Sequence, residues 1–316
     1  MQKIIPFTGR LTKAESQLWI TALQQAMTEF KIAPLSELSE LEAAKIDVAI
    51  VANPDPNELT KLKNLKWIHS VWAGVEGLLQ SNIRHEIDIV RLIDSNLAQV
   101  MSEAALAATM FIHRDMPLYQ SQQTESIWHQ HKVTLSKDRN IGILGIGELG
   151  LKVGQNLVKN GFQVAGWGRS KRDTSMYGIT TMHGKAGLKS LLQNSEILII
   201  LLPLTPDTRG LMNDKRLTQL PKGASVINFA RGPILEEKAL LRQLDSGYLA
   251  HAVLDVFDQE PLPSQHPYWS HNKITVWPHI AAPTDRESAA RIVSANIRRY
   301  FESNQLPQIV DRENHY

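Results

Sequence analysis

A chain of 316 residues, 43% hydrophobic and 21% charged, is long enough for two domains with cores of their own. A formal charge of +2 with scattered Arg and Lys argues against a nucleic-acid footprint, and the absence of cysteine excludes disulfides and thiolate metal sites. No apolar run reaches the roughly 18 residues of a membrane span, and Met1-Gln2-Lys3-Ile4-Ile5-Pro6 lacks the apolar core of a signal peptide, so no membrane partner and a cytoplasmic location are expected.

Residues 1–100 alternate strand-like and helix-like segments, with strands expected at 46–51, 66–71 and 87–93, and carry no phosphate loop. An Ala- and Met-rich helical pattern over 97–113 reads as a bridge between domains, and a polar stretch, 119–139, follows it. Then comes Arg139-Asn140-Ile141-Gly142-Ile143-Leu144-Gly145-Ile146-Gly147-Glu148-Leu149-Gly150, an apolar run entering a G-x-G-x-x-G turn ahead of a helical pattern that Gly161 stops. Gly145 permits a tight turn, Gly147 lets backbone approach a pyrophosphate, and Gly150 lets helix and strand pack closely. Phosphates would sit at the helix N-terminus, where unpaired amides favour negative charge, making Gly145, Gly147, Glu148, Leu149 and Gly150 the expected cofactor turn.

Further short apolar strands are expected at 163–167, 197–202, 225–229, 252–257 and 274–277, six with the first, in a doubly wound parallel sheet. A final helical pattern over 285–301 crosses back. The expected architecture is α/β: a Rossmann-type domain, 101–285, inserted into a smaller discontinuous domain made of 1–100 and 286–316.

An acidic residue about 20 residues past the glycines ordinarily holds the adenosine ribose hydroxyls. This chain has Trp167-Gly168-Arg169-Ser170-Lys171-Arg172 instead. Arg169 with Ser170, and Lys171 or Arg172, offers charge-assisted hydrogen bonds to a 2′-phosphate, so NADPH is the expected cofactor, with NADH also possible. The bland alternative is a solvated cationic turn.

Three more motifs each follow an expected strand: Asn228-Phe229-Ala230-Arg231-Gly232-Pro233, Leu254-Asp255-Val256-Phe257-Asp258-Gln259-Glu260-Pro261-Leu262 and Trp277-Pro278-His279-Ile280-Ala281-Ala282. With the glycine turn, this ordered set resembles the D-isomer-specific 2-hydroxyacid dehydrogenases along nearly the whole chain. Trp167-Gly168-Arg169-Ser170, Leu201-Leu202-Pro203-Leu204-Thr205-Pro206 and the ending Val310-Asp311-Arg312 with Tyr316 resemble its glyoxylate and hydroxypyruvate reductase branch. The resemblance implies a flavodoxin-like substrate domain, a homodimer joined through 97–139, Arg231 as substrate ligand, Glu260 as partner of the catalytic histidine, and His279 as acid/base. It further implies that Leu202, Pro203, Thr208, Ala230 and Ala281 line the cofactor path.

The residues themselves agree with that reading. Reducing a 2-oxoacid requires a hydride donor, a cation for the carboxylate and carbonyl, and a proton donor for the developing alkoxide. Arg231 is a rigid forked cation, His279 titrates near neutral pH, and Glu260 would orient it and favour its protonated form, while Asp255 is a candidate for holding the nicotinamide carboxamide. Taken singly, Arg231 also reads as a capping or ion-pair residue and Glu260 as a loop end. His129-Gln130-His131 lacks further ligands at useful spacing, so no metal is expected.

In the first domain, Val71-Trp72-Ala73-Gly74-Val75-Glu76 resembles the family's substrate-carboxylate loop, in which small residues let amides face the ligand. Trp72 departs from the glycine frequent there, and Glu76 from the frequent aspartate. Trp72 either narrows the pocket toward two- and three-carbon acids or packs away as core. The expected activity is reduction of glyoxylate to glycolate and hydroxypyruvate to D-glycerate, with hinges near the bridging helix and 283–287; the alternatives are a dehydrogenase for another 2-oxoacid and a nucleotide-sensing binding protein.

Overall fold

Two sheets, every pairing within them parallel, organise the chain. The computed structural model describes residues 2–171 and 174–313, and they divide into two units, Met1–Asn96 with Thr284–Tyr316, and Leu97–Pro283.

The first unit holds β1 (Ile4–Gly9), β2 (Lys31–Pro34), β3 (Val48–Ala52), β4 (Trp67–Ser70) and β5 (Asp88–Val90) in the order β2-β1-β3-β4-β5, the flavodoxin-like arrangement. Alternate residues go to opposite faces, and helices cover both. Ile5, Phe7, Ile50 and Trp67 pack with Trp19 and Leu23 of the helix Lys13–Ala26 and with Val293 and Ile297 of the helix Arg286–Ser303. Ala49, Val51, Ile68 and Ile89 face Leu59, Leu62 and Leu78 instead. This two-sided burial is why the strands read as continuous apolar runs. The tail covers the sheet edge at β5, where the Val310 amide donates to the Ile89 carbonyl at 2.7 Å.

The second unit holds β6 (Asn140–Leu144), β7 (Gln163–Gly168), β8 (Ile179–His183), β9 (Ile197–Ile200), β10 (Ser225–Asn228), β11 (His251–Leu254) and β12 (Ile274–Val276) in the order β12-β11-β10-β9-β6-β7-β8. The sheet has seven strands where six are expected, the addition being β8. Only Ile179 of its five residues is buried, because β8 is an edge strand with little apolar signal. Ile143, Ile199, Ile227 and Val253 pack on one face with Val153 and Leu157 of the helix Glu148–Lys159 and with Met101, Ala105 and Ala108 of the helix Ser95–His113. The other face meets Leu188 and Leu192 of the helix Gly184–Asn194 and Leu240 and Leu244 of the helix Glu237–Asp245. The segment 119–139, read as a polar stretch, contributes to a helix at Met116–Thr124 with no buried residue.

Where the first unit is interrupted, Ser288 Oγ donates to Asp94 Oδ2 at 2.5 Å, with both residues buried, and Asp94 Oδ1 accepts the Asn96 amide at 2.8 Å.

Candidate active site

The glycine turn is built as its residue types require. Gly145 sits at φ 104°, in the left-handed region that favours glycine, and a Cβ on Gly150 would lie 1.9 Å from the Gly145 carbonyl oxygen. Gly147 is the N-cap of the helix Glu148–Lys159 and, having no side chain, caps none of the first-turn amides of Glu148, Leu149 and Gly150 itself. Among the described residues nothing stands within 4 Å of where a Cβ on Gly147 would be. A helix N-terminus with open space before it at Gly147 fits a dinucleotide pyrophosphate. Arg169, Ser170 and Lys171 follow β7 directly and are exposed; Arg172 and Tyr316 lie outside the described residues.

Across the turn, Leu202 is buried and Pro203 exposed, and the Thr208 hydroxyl donates to the Pro203 carbonyl at 2.7 Å while accepting the Thr205 amide at 2.8 Å. Thr208 thereby shapes its own loop.

Three neighbouring strands carry the acid/base candidates. Arg231 follows β10, Asp255 and Glu260 follow β11, and His279 follows β12, all beyond the C-terminal strand ends, where parallel sheets bind ligands. His279 Nδ1 pairs with Glu260 Oε2 at 2.6 Å, and Glu260 Oε1 accepts the Phe257 amide at 2.9 Å. The hydrogen bond that Nδ1 donates to Glu260 raises the His279 pKa above its ordinary value, with burial and the Arg231 cation acting against it. Glu260 is pushed up by burial, but His279, the Phe257 amide and Arg231 together bring it below the usual carboxylate range. With Nδ1 committed to Glu260, Nε2 is the nitrogen positioned to exchange a proton with a ligand.

Arg231 and its turn are held by Asn228, whose Oδ1 accepts the Ala230 amide at 3.2 Å and whose Nδ2 donates to the Arg231 carbonyl at 3.1 Å. Arg231 Nη1 donates to the Ala230 carbonyl at 2.7 Å, and Ala230 itself is buried. The next residue, Gly232, lies so close to the Glu260 loop that a Cβ would stand 2.2 Å from the Phe257 carbonyl carbon. The Arg231 and Glu260 loops are therefore packed as one body.

Residues 106–281 match the family profile described as D-isomer specific 2-hydroxyacid dehydrogenase, NAD binding domain. The chain belongs to the D-isomer-specific 2-hydroxyacid dehydrogenase family. Among its relatives, this dehydrogenase is 36% identical over 309 residues to the glyoxylate/hydroxypyruvate reductase A of Yersinia enterocolitica, covering 94% of this chain and 95% of the relative. Its fold is similar to that of a D-isomer specific 2-hydroxyacid dehydrogenase from Xanthobacter autotrophicus solved with NADPH and MES, with a TM-score of 0.92 at 34% identity and full coverage of both chains. It is also similar to the NADPH-dependent glyoxylate/hydroxypyruvate reductase of Sinorhizobium meliloti solved with NADP and sulfate, with a TM-score of 0.90, 30% identity, and coverage of 99% and 100%.

A buried acid of the dehydrogenase's site binds its own neighbouring loop. Asp255, expected to hold a carboxamide, is 2% exposed and turns its carboxylate to the loop after His279. Its Oδ1 accepts the Ile280 amide at 2.7 Å and the Ala281 amide at 3.1 Å, Oδ2 accepts Ala281 at 3.1 Å, and its carbonyl accepts the His279 amide at 3.0 Å. Successive amides thus converge on one residue, holding His279 at φ 54°, a conformation uncommon outside glycine. A buried acid closing an apolar strand was the available signal.

In the other unit, Trp72 stands edge-on to Trp19 with centroids 5.5 Å apart, partly buried against the core, which matches the packing alternative. Ala73 and Gly74 are half-buried in the loop after β4, and Val75 is buried. His131 packs on Tyr119 and His129; among the described residues no group of three or more His, Cys, Asp or Glu could hold a metal, and no helix is long and apolar enough to cross a membrane.

Proposed function

We propose that this dehydrogenase uses NADPH to reduce glyoxylate to glycolate and hydroxypyruvate to D-glycerate. The observation that carries the reading is the 2.6 Å His279–Glu260 pair beside the Arg231 cation on three adjacent strand ends. When bound, the dinucleotide supplies the hydride, which goes to C2 of the oxoacid. His279 Nε2 gives its proton to the C2 oxygen and Arg231 neutralises the carboxylate and the developing oxyanion, while the amides of the 73–75 loop are the carboxylate donors that the family resemblance implies. Glu260 then stabilises the imidazole in either state. The raised His279 pKa favours reduction, because the acid must be loaded before turnover. Arg169, Ser170 and Lys171, with no carboxylate in Trp167-Gly168-Arg169-Ser170-Lys171, support NADPH over NADH, as do the NADPH- and NADP-bound relatives.

A homodimer and a cytoplasmic location go with this reading. Met116, Leu118, Ile127, Val133 and Leu135 are exposed apolar residues of one segment, and Trp128 within it is 95% exposed, a surface suited to a second copy. Initial rates with NADPH and NADH against glyoxylate, hydroxypyruvate, pyruvate and 2-oxoisovalerate test the proposal. NADPH-dependent turnover with the highest kcat/KM on the first two supports it, a preference for the larger acids or NADH corrects substrate or cofactor, and no turnover with either cofactor overturns it.

A further inference from the structure

A histidine, His183, closes β8. In the parallel register Trp167 pairs with Met182 and Gly168 with His183, so each pair shares a face. Trp167 faces the helix Gly184–Asn194, its indole Nε1 donating to the Gly184 carbonyl at 2.9 Å. Gly168 faces the opposite way, where a Cβ would lie 3.3 Å from Ile146 of the glycine turn, and Gly166 meets the same residue at 2.8 Å. His183 therefore stands on the glycine-turn face, at the C-terminal edge of the sheet, one strand outboard of Gly168-Arg169-Ser170. It is exposed, makes no side-chain cap to the helix it precedes, and among the described residues its ring has no hydrogen-bond partner.

We infer that His183 is a specificity determinant for the 2′-phosphate of NADPH, an inference that rests on the proposed cofactor. The ribose of a dinucleotide on this fold lies beyond the end of the second strand, here β7. A phosphate on its 2′-oxygen is flanked by Arg169 and Ser170 from β7 and by His183 from the neighbouring strand. Gly168, lacking a side chain, keeps the lane between them open. β8 is the sheet edge, and among the described residues no further strand pairs beyond it.

Calorimetric titration of NADP⁺, NAD⁺ and 2′,5′-ADP into wild type, His183→Ala and His183→Glu tests this without turnover. The expected result is roughly tenfold weaker NADP⁺ and 2′,5′-ADP binding in the alanine variant, the loss of one charge-assisted hydrogen bond at an exposed site, with NAD⁺ affinity retained. The glutamate variant weakens NADP⁺ further by repulsion. Equal weakening of NADP⁺ and NAD⁺, or no change in either, overturns the role of His183 while wild-type preference for NADP⁺ leaves the cofactor reading standing. A wild type that binds NAD⁺ more tightly overturns both.

Discussion

Replacing Asp255 by alanine tests whether a buried charge holds the loop that carries His279. The carboxylate accepts two amides, Ile280 at 2.7 Å and Ala281 at 3.1 Å from each oxygen. A hydrogen bond to an ionised acceptor contributes about 1.5–3 kcal/mol, so two amides set a gross scale of roughly 3–6 kcal/mol. Two effects reduce it. Burial raises the Asp255 pKa, so holding the carboxylate ionised is itself costly. Ile280 is 54% exposed, so its amide regains water, whereas Ala281 is 1% exposed and its amide is left unpaired. The net loss is about 2 kcal/mol, seen as a lower urea midpoint. Because His279 occupies φ 54° only under this restraint, kcat falls as well. Asp255→Asn keeps an acceptor oxygen and recovers part of both. A wild-type midpoint in Asp255→Ala, or a lowered midpoint with wild-type kcat, refutes the reasoning.

Glu260→Gln keeps an acceptor oxygen for Nδ1 but removes the negative charge that helps raise the His279 pKa. Reduction needs the protonated imidazole and is lost as pH rises through that pKa, so the basic limb of the kcat/KM profile moves to lower pH; an unmoved limb contradicts the pairing. Gly232→Ala drives a methyl to 2.2 Å from Phe257 and 2.5 Å from the Asp258 nitrogen, displacing the Glu260 loop. It costs about 1–3 kcal/mol by overpacking and lowers kcat, checked by thermal melting and rates. His69 and His251 are buried with pKa values lowered by desolvation to about 4. His69 is neutral by its partners, with Nδ1 against the Ser70 carbonyl and Nε2 against the Asn296 amide. Depressed histidine pKa values contribute stability above 6.5 that is lost as pH falls toward about 4, so urea midpoints decline across that window, and a flat series sinks the assignment.

The legible parts were those whose chemistry is local. Glycines at 145, 147 and 150 announce a phosphate turn because each answers a steric demand along the chain, and Arg231, Glu260 and His279 stand out because each follows an apolar strand. β8 was illegible because an edge strand buries little, and its polar Thr180 and Thr181 match no periodicity. Asp255 was visible but its work was not, since whether a carboxylate faces a ligand or the next loop depends on how β11 and β12 align. Trp72 likewise waited on its partner Trp19, distant in sequence.

The bond between Ser288 and Asp94 joins residues 194 positions apart. The polypeptide of the nucleotide unit therefore departs from its host and returns to it at one spot, so the excursion asks of the host only a closed gap, whatever its length. A short bridge from Asn96 to Thr284 would restore a continuous flavodoxin-like chain. Such an arrangement makes the host a socket: its five strands and the apolar layers on their two faces are drawn from the host's own residues on either side of the excursion.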